Sequence, residues 1–482
     1  MSSLGSILGI ARTALSAHQT AISVTSHNIS NAETPGYTRQ RASLVANTPV
    51  NMSYGQLGAG VQVERLERIR DGLLDTVYRR EVGNEAGFTQ RRDLMLRIED
   101  IFGEPSETGL GSSLDAFWSA WDELASSPNS TSARGVVRQR GEQVTMALNS
   151  HAARLGEVAD GTRAQLQASL MDINGLTARL GDLNKQIVAG EVSGRVASDL
   201  RDERDRVLDG ISALANVQVA ERPNGSVAVF LAGSMLVDGS SVRQLTTLGS
   251  DPMRFAVEGS GEPLPYAGAR LGAIAQVLNE DIPQVREHLD LIARSLVESV
   301  NDLHVTGWSP AGDPAGADPG WNGSQVAFFD PAGVTASSIV LAGRGPDDPP
   351  GVPAGVRNDA SYIAAGTVRY ATGDNSLSLA LAAMRDANVV VTDPADPAAT
   401  RSLRDSFRDL VTGVALESQA AASGAVSQAT IVHEAELRRQ SVAGVSTDEE
   451  LIQLMRQQQA YVAATRLVST VDEMAQAILN MV

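Results

Sequence analysis

The sequence contains no cysteine and one lysine, Lys185, among 482 residues. The first absence excludes disulfides, thiolate metal sites and cysteine nucleophiles. The second rules out a phosphate-binding loop of the G-x-x-x-x-G-K type, because Lys185 follows Asn184, and it leaves one poor candidate for a Schiff base. Aromatic residues make up only 4% of the chain, which argues against a dense aromatic core, and no apolar run approaches the roughly 18 residues that span a bilayer. Acidic residues outnumber basic ones by 57 to 39, and the resulting charge of −18 has the wrong sign for a general binder of nucleic acid or anionic membrane.

Catalytic signatures are missing as well. There is no G-x-S-x-G, no H-E-x-x-H and no G-x-G-x-x-G. The six histidines, at 18, 27, 151, 288, 304 and 433, are scattered through helical patterns, where packing is expected and not general-base work or metal ligation. The aspartates of residues 309–358 do not keep calcium-loop spacing. The expectation is a protein with no catalytic residue, no metal and no cofactor.

What is present is regularity at the two ends. "MSSLGSILGIARTAL" is apolar and acid-free, but its first basic residue, Arg12, falls inside the apolar stretch, so it reads as a structural helix and not a Sec signal. From Leu4, steps of four and three pass through Leu8, Ala11, Leu15, His18, Ile22, Thr25 and Ile29, a heptad seam on a helix of about 40 Å. It ends in "NISNAETPGY". Asn28 and Asn31 suit a helix C-terminus by tolerating the left-handed conformation, and Pro35 with Gly36 fits a type II turn before Tyr37 and an extended "YTRQRASLV". At the other end, Leu454, Tyr461, Val468, Ala475 and Val482 fall at seven-residue steps, with Leu451, Gln458, Thr465, Asp472 and Leu479 three residues before them. Ser446 or Thr447 with Glu449 or Glu450 makes a capping-box start. One helix pair alone is marginal, so both ends are expected to order when neighbouring subunits cover them, in rings or helical filaments.

Between the ends, residues 71–103 and 112–215 read as helix. Apolar positions from Val144 to Ile187 keep a period near 3.5, which predicts a rod, with a break expected near Gly156, Gly161, Gly175 or Gly181. The charges of "DLRDERDR", residues 199–206, read as a solvated helix face. Val217 and Val219, the turn "PNGS", then Val227, Val229 and Leu231 predict a hairpin. Helix resumes over 268–308. Residues 309–358 are rich in Pro and Gly and read as loop, and a last helical block runs from about Asn375, interrupted at "VTDPADPAAT" and "GVSTDEE". The fold class is therefore mainly α with a β-rich insertion. Expected units are 1–70 with 446–482 as a paired coiled-coil inner domain; 71–215, 269–308 and 370–445 as an elongated helical middle; 216–268 as a small outer β domain; and 309–369 as an irregular insertion.

"ALSAHQTAISVTSHNISNAETPGYTRQ" resembles the N-terminal signature of the bacterial flagellar axial family of rod, hook and hook-associated proteins, and "DEELIQLMRQQQAYVAATRLVSTVDEM" resembles its C-terminal one. "FWSAWDELASSPNSTSARGVVRQRGEQV", "ASDLRDERDRVLDGISALANVQV", "LDLIARSLVESVNDLHVTGW" and "GDNSLSLALAAMRDA" resemble the hook-associated members of the hook–filament junction. The resemblance implies terminal helices paired as an inner tube, a corner redirecting the chain outward, and unfolded export through the flagellar type III apparatus. It implies four partners: further copies of the chain, the hook protein, the next junction protein (hook-associated protein 3) and a chaperone on the C-terminal segment. Rivals are the hook protein, whose middle should be β-dominated, a rod protein, and a surface adhesin or enzyme on a flagellar-type frame. Seam positions Leu4, Leu8, Leu15, Ile22, Ile29, Leu454, Tyr461, Val468 and Leu479 are expected to form the assembly interface.

Overall fold

A computed structural model describes residues 2–480 except 53–54, 104–105, 107–108, 193–195, 250–251, 265–267, 311–325, 344–354, 370 and 394–395. The predicted Val482 position lies outside the described residues.

The chain opens with α1 (Ser2–Ser30), 29 residues and about 44 Å long. After the corner come β1 (Gln40–Ala46), the short hairpin β2 (Val50–Met52) and β3 (Gly55–Leu57), and β4 (Val61–Arg68). β1 and β4 form an antiparallel ladder from Gln40 opposite Arg68 to Ala46 opposite Val61, which brings the chain back to its corner. Then α2 (Gly72–Phe102) starts at an Asp71 cap that accepts from the Leu73 and Leu74 amides.

The body is built on α3 (Leu110–Ser126), α4 (Thr131–Glu191) and α5 (Ser198–Leu214). α4 runs 61 residues without the expected break. Its glycines explain why. A methyl on Gly141 would press on Phe328 and one on Gly181 on Val242, so these two are close approaches, while Gly156, Gly161 and Gly175 face open space. Val144, Leu148, Leu155, Leu166, Ile173, Leu180 and Ile187 are buried along the rod's whole length. Different elements cover successive turns, so the rod is the spine of a body and not a free coiled coil.

The β region holds β5 (Val217–Glu221), β6 (Val227–Leu231), β7 (Ser234–Asp238) and β8 (Ser241–Val242) in one antiparallel sheet. A second sheet has β9 (Leu245–Leu248), β10 (Arg254–Val257) and β11 (Pro263–Leu264). In the hairpin, Val219 pairs with Val229 and Glu221 with Val227, and Gly225 takes φ +84 at the turn. Helical asparagines clasp these sheets: the Asn184 side chain both accepts from and donates to the Val227 backbone at 3.0 Å, and Asn174 does the same to Leu245 at 2.8 and 2.9 Å. A side-chain amide has the same donor and acceptor pair as a peptide, so each replaces a missing strand partner.

The following helix is divided into α6 (Ala269–Gln276) and α7 (Ile282–His304) by a π turn over Val277–Asp281. Pro283 lacks the amide that an α turn needs, and Asn279 is occupied with both backbone groups of Met253. The Pro/Gly-rich stretch is irregular where described, yet it contributes to the core: Phe328 and Phe329 pack on Phe117 and Trp121 beside the buried His304. α8 (Ser376–Ala383), the hairpin of β12 (Val390–Asp393) with β13 (Asp396–Arg401), α9 (Leu403–Ala443) and α10 (Thr447–Asn480) complete the chain. α9 returns antiparallel along α2, as Phe102 on Phe407 and Glu81 on Gln428 require. The fold is mainly helical, with a β-rich middle and paired terminal helices.

Candidate functional site at the corner between terminal and body helices

α10 lies antiparallel against α1, because His18 Nδ1 is 2.7 Å from Gln457 Oε1 while Asn28 reaches Glu450 ten residues further along α1. The contact line on α1 runs through buried Ala11, Ala17, Ala21, Thr25 and Asn28. The residues of α1 expected at the assembly interface lie beside this line. Leu4, Leu15, Ile22 and Ile29 are only half-buried on its flank and Leu8 is 45% exposed, because alanines allow the close approach and the bulkier side chains are turned aside. On α10 the row Leu454, Tyr461 and Val468 does border α1, but its companion row is Gln457, Ala464 and Val471, three residues later and not three earlier. Leu479 therefore points away and is 74% exposed. Ile7, Leu451, Met455, Val462, Leu467 and Met474 are exposed too, so the pair carries apolar side chains on faces that none of the described residues covers.

The corner itself is a polar knot. Tyr37 N–H donates to Thr34 O at 3.1 Å and Gly36 has φ +75, the geometry of the expected type II turn. Asn28 and Asn31 depart from expectation: neither is left-handed. Asn28 is 1% exposed and uses all four of its hydrogen bonds. Its Oδ1 accepts from the Tyr37 hydroxyl (2.8 Å) and the Gln40 amide (3.0 Å), and its Nδ2 donates to Gln40 O and Glu450 Oε2, both at 2.8 Å. Asn31 Nδ2 caps the His27 carbonyl at 3.0 Å. Burial, with the carboxylates of Asp202, Asp199 and Glu450, pushes the Tyr37 hydroxyl above its ordinary range, so it stays a donor. Glu450 also accepts from Arg39 Nε at 2.7 Å, and Glu449 takes Arg39 Nη1 at 3.1 Å while its backbone amide donates to Ser446 Oγ at 3.5 Å, the N-cap half of the expected capping box. One asparagine thus joins the end of α1, the outgoing strand and the start of α10.

Behind the turn lies an ion cluster that sequence reading placed on a solvated face. Asp202, Arg204 and Asp205 are 4–6% exposed. Asp205 accepts from Arg68 at 2.6 Å, from Arg70 and Arg204, and from Arg79 at 3.3 Å; Asp202 takes Arg68 and the Thr38 amide (3.1 Å); Asp209 takes Arg79 (2.7 Å) and Arg439 (2.8 Å). Burial alone would raise the Asp205 carboxyl, but the guanidiniums of Arg70, Arg204, Arg68 and Arg79 hold it at about 2. Apart from Arg204, the cationic partners come from β4, the link after it, α2 and α9, far away in sequence, which is why a local charge pattern could not reveal them. An open polar cleft of about 770 Å³ separates the turn from the α9–α10 linker. This arrangement can fix an angle between terminal helices and body. Its hydroxyl–imidazole contact, Tyr37 OH 3.0 Å from His27 Nδ1, belongs to the same knot, and among the described residues no group of three or more His, Asp or Glu side chains could hold a metal.

Comparison with known proteins gives this geometry its context. Residues 95–318 match the family described as the flagellar hook-associated protein FlgK helical domain; residues 8–38 match the flagella basal body rod protein family, and 439–481 the flagellar basal body rod FlgEFG protein C-terminal family. The chain is 27% identical to flagellar hook-associated protein 1 of Bacillus subtilis (strain 168), over 98% of its own length and 97% of the relative's. It is 24% identical to the protein of that name from Salmonella typhimurium, over 99% and 100%. Its fold is similar to that of the flagellar hook junction protein FlgK from Burkholderia pseudomallei, with a TM-score of 0.60 at 14% identity, covering 76% of this chain and 100% of that one. With rod-type signatures on the two paired terminal helices and the helical-domain signature on the body between them, the chain is similar along its whole length to flagellar hook-associated protein 1.

Proposed function

We propose that this protein is a structural subunit of the bacterial flagellum, assembled between hook and filament, with the α1–α10 pair facing inward among identical neighbours and the body facing outward. The observation that carries the reading is the uncovered apolar side chains of the terminal pair, among them Leu8, Met455 and Leu467 at 45–54% exposed. Such faces need partners, and repetition of one subunit about an axis supplies them without a second protein. The corner then transmits position: the Asn28 knot sets α1 against α10, and the Asp205 cluster sets both against the body. Leu4, Leu15, Ile22 and Ile29 flank the intramolecular contact and are available to a neighbouring copy.

On the same reading the hook protein lies on one side and hook-associated protein 3 on the other, a chaperone holds α10 before export, and export proceeds unfolded through the flagellar type III apparatus. A chain without cysteine suits that route. The role is mechanical and requires no catalysis. Leu8→Asp and Ile22→Asp test it by incorporation into flagella of a strain lacking the native protein. Both variants should leave the helical content and melting of the isolated chain within a few degrees of wild type while preventing incorporation. Normal incorporation of both would remove the inner faces from the assembly interface.

A further inference from the structure

The N-terminal turn of α4 presents an arrangement that assembly through the terminal helices does not use. Ser130 caps the helix through the Ala133 amide at 3.1 Å, and the first turn carries no acidic residue. It carries Arg134 instead, only 6% exposed. A cation in the first turn of a helix opposes the helix dipole, whose positive end already lies there. Burial makes this costlier, and buried guanidiniums are normally paired. Elsewhere in the protein they are: Arg68, Arg70, Arg79 and Arg204 all reach Asp205. Arg134 is different. Its Nε donates to the Ile363 carbonyl at 2.9 Å, and no carboxylate lies within ion-pairing distance of it among the described residues. Desolvation with no opposing carboxylate lowers its pKa.

Arg134 lines a cleft of about 240 Å³ between the α3–α4 connection (Pro128, Asn129) and the turn from Ala365 to Asp374. On another wall the Arg369 guanidinium sits over the Trp308 ring, 4.9 Å from its centroid, adding a second positive group. Among the described wall residues the one carboxylate, Asp374, accepts from the Thr367 and Val368 amides at 2.7 Å and the Ser376 amide at 3.0 Å. Among the described residues the cleft therefore has a buried cation, a helix N-terminus and a single carboxylate, Asp374, whose oxygens are held by backbone amides.

We infer that this cleft is a binding site for an oxyanion, phosphate or carboxylate, held by Arg134 at the start of α4. Guanidinium binds either in the same forked geometry. The volume admits a small anion or a single acidic side chain and no folded segment. Two sources share the chemistry: a free anion, or an Asp or Glu of a neighbouring copy of this acidic chain.

The test uses the full-length protein and follows thermal unfolding while phosphate or acetate replaces chloride at constant ionic strength. Wild type should show a saturable rise in midpoint. Arg134→Met should weaken the apparent affinity about tenfold or more. Thr372→Asp, which puts a carboxylate on an exposed lip of the cleft and leaves Arg134 in place, should also suppress the response, and it keeps the test decisive if Arg134→Met folds poorly. Saturation in the micromolar range assigns the site to a free anion. A response only in the tens of millimolar, with copy-to-copy association lost in Arg134→Met at unchanged helical content, assigns it to a neighbour's carboxylate. Equal anion responses in all three proteins, or no anion response together with unaltered association, would overturn the inference.

Discussion

Replacing Asp205 by Asn keeps the shape of the side chain and removes one charge from the cluster behind the corner. Asp205 is 6% exposed and accepts from Arg68, Arg70, Arg79 and Arg204. The amide supplies one acceptor where there were two and turns an N–H toward guanidiniums, so at least two charge-assisted hydrogen bonds are lost. Asp202, Asp209 and Asp75 remain to offset five arginines, Arg439 included. Breaking a buried pair from one side costs about 3–5 kcal/mol, because the orphaned charges stay desolvated. The pH dependence gives an independent handle. The Asp205 pKa is lowered from 3.8 to about 2, so its contribution is fully present above pH 3.8 and is lost as pH falls through 2. That difference is worth about 2 kcal/mol. Urea unfolding followed by circular dichroism should show Asp205→Asn destabilised by that 3–5 kcal/mol at pH 7 and lacking the acid-dependent component between pH 3.8 and 2. A variant within about 0.5 kcal/mol of wild type would mean that the cluster is solvated in solution and does not fix the angle of the corner.

Gly36→Ala should cost about 1–2 kcal/mol, since φ +75 is a left-handed conformation for an L-residue and the new methyl would also approach Arg206 Cγ and Cδ to 2.7 Å. Calorimetry of the variant checks this, and an unchanged melting profile would contradict the type II turn. His304 is fully buried, its Nδ1–H donating to Val326 O at 2.7 Å and its Nε2 accepting from the Ala364 amide at 3.1 Å; burial lowers its pKa from 6.5 to about 4 despite the Val326 bond. Its neutral form fits the fold, so stability is full above pH 6.5 and declines by about 3 kcal/mol as pH falls to 4. His304→Gln should be less stable at pH 7 and flatter across that window, a range separate from that of Asp205. Limited proteolysis of the isolated chain should remove residues before about 70 and after about 445 ahead of the body, because the contact between α1 and α10 buries mainly alanines; termini as resistant as α4 would show that the pair is stable without neighbours.

The elements best read from the sequence were those whose signal is local. A hairpin needs only alternating valines around Asn-Gly, and Val219 opposite Val229 follows. The turn needs only Pro35 followed by Gly36. Long helices announce themselves through apolar spacing, and α4 keeps that spacing for 61 residues. Its continuity was less legible, because a glycine costs helix stability by an amount known in advance, whereas the Phe328 and Val242 side chains that need Gly141 and Gly181 lie far along the chain. The strand β12 was missed for a similar reason: Val390–Asp393 has no alternating pattern, and it exists because β13 is there to pair with it.

At the terminal helices and at the charged run on α5, local pattern is limited in the same way. A heptad pattern says that a helix has an apolar row; it does not say which neighbour that row faces. On α1 two rows compete, the bulky one through Leu8, Leu15 and Ile22 and the small one through Ala17, Ala21 and Asn28. Size alone favours the first as the core. The structure gives the intramolecular contact to the second, because alanines let α10 approach closely enough for Asn28 to reach Glu450 at 2.8 Å. A helix with two usable rows has more partners than one chain supplies, so the mismatch between the expected seam and the observed one is itself the physical reason to look for neighbouring copies. The charged run on α5 carries the same lesson in electrostatic form. Alternating Asp and Arg on a helix face is read as solvated only while its counterions are unknown, and the arginines that bury Asp205 belong to β4, to the link that follows it and to α2, which the outgoing corner brings back against α5.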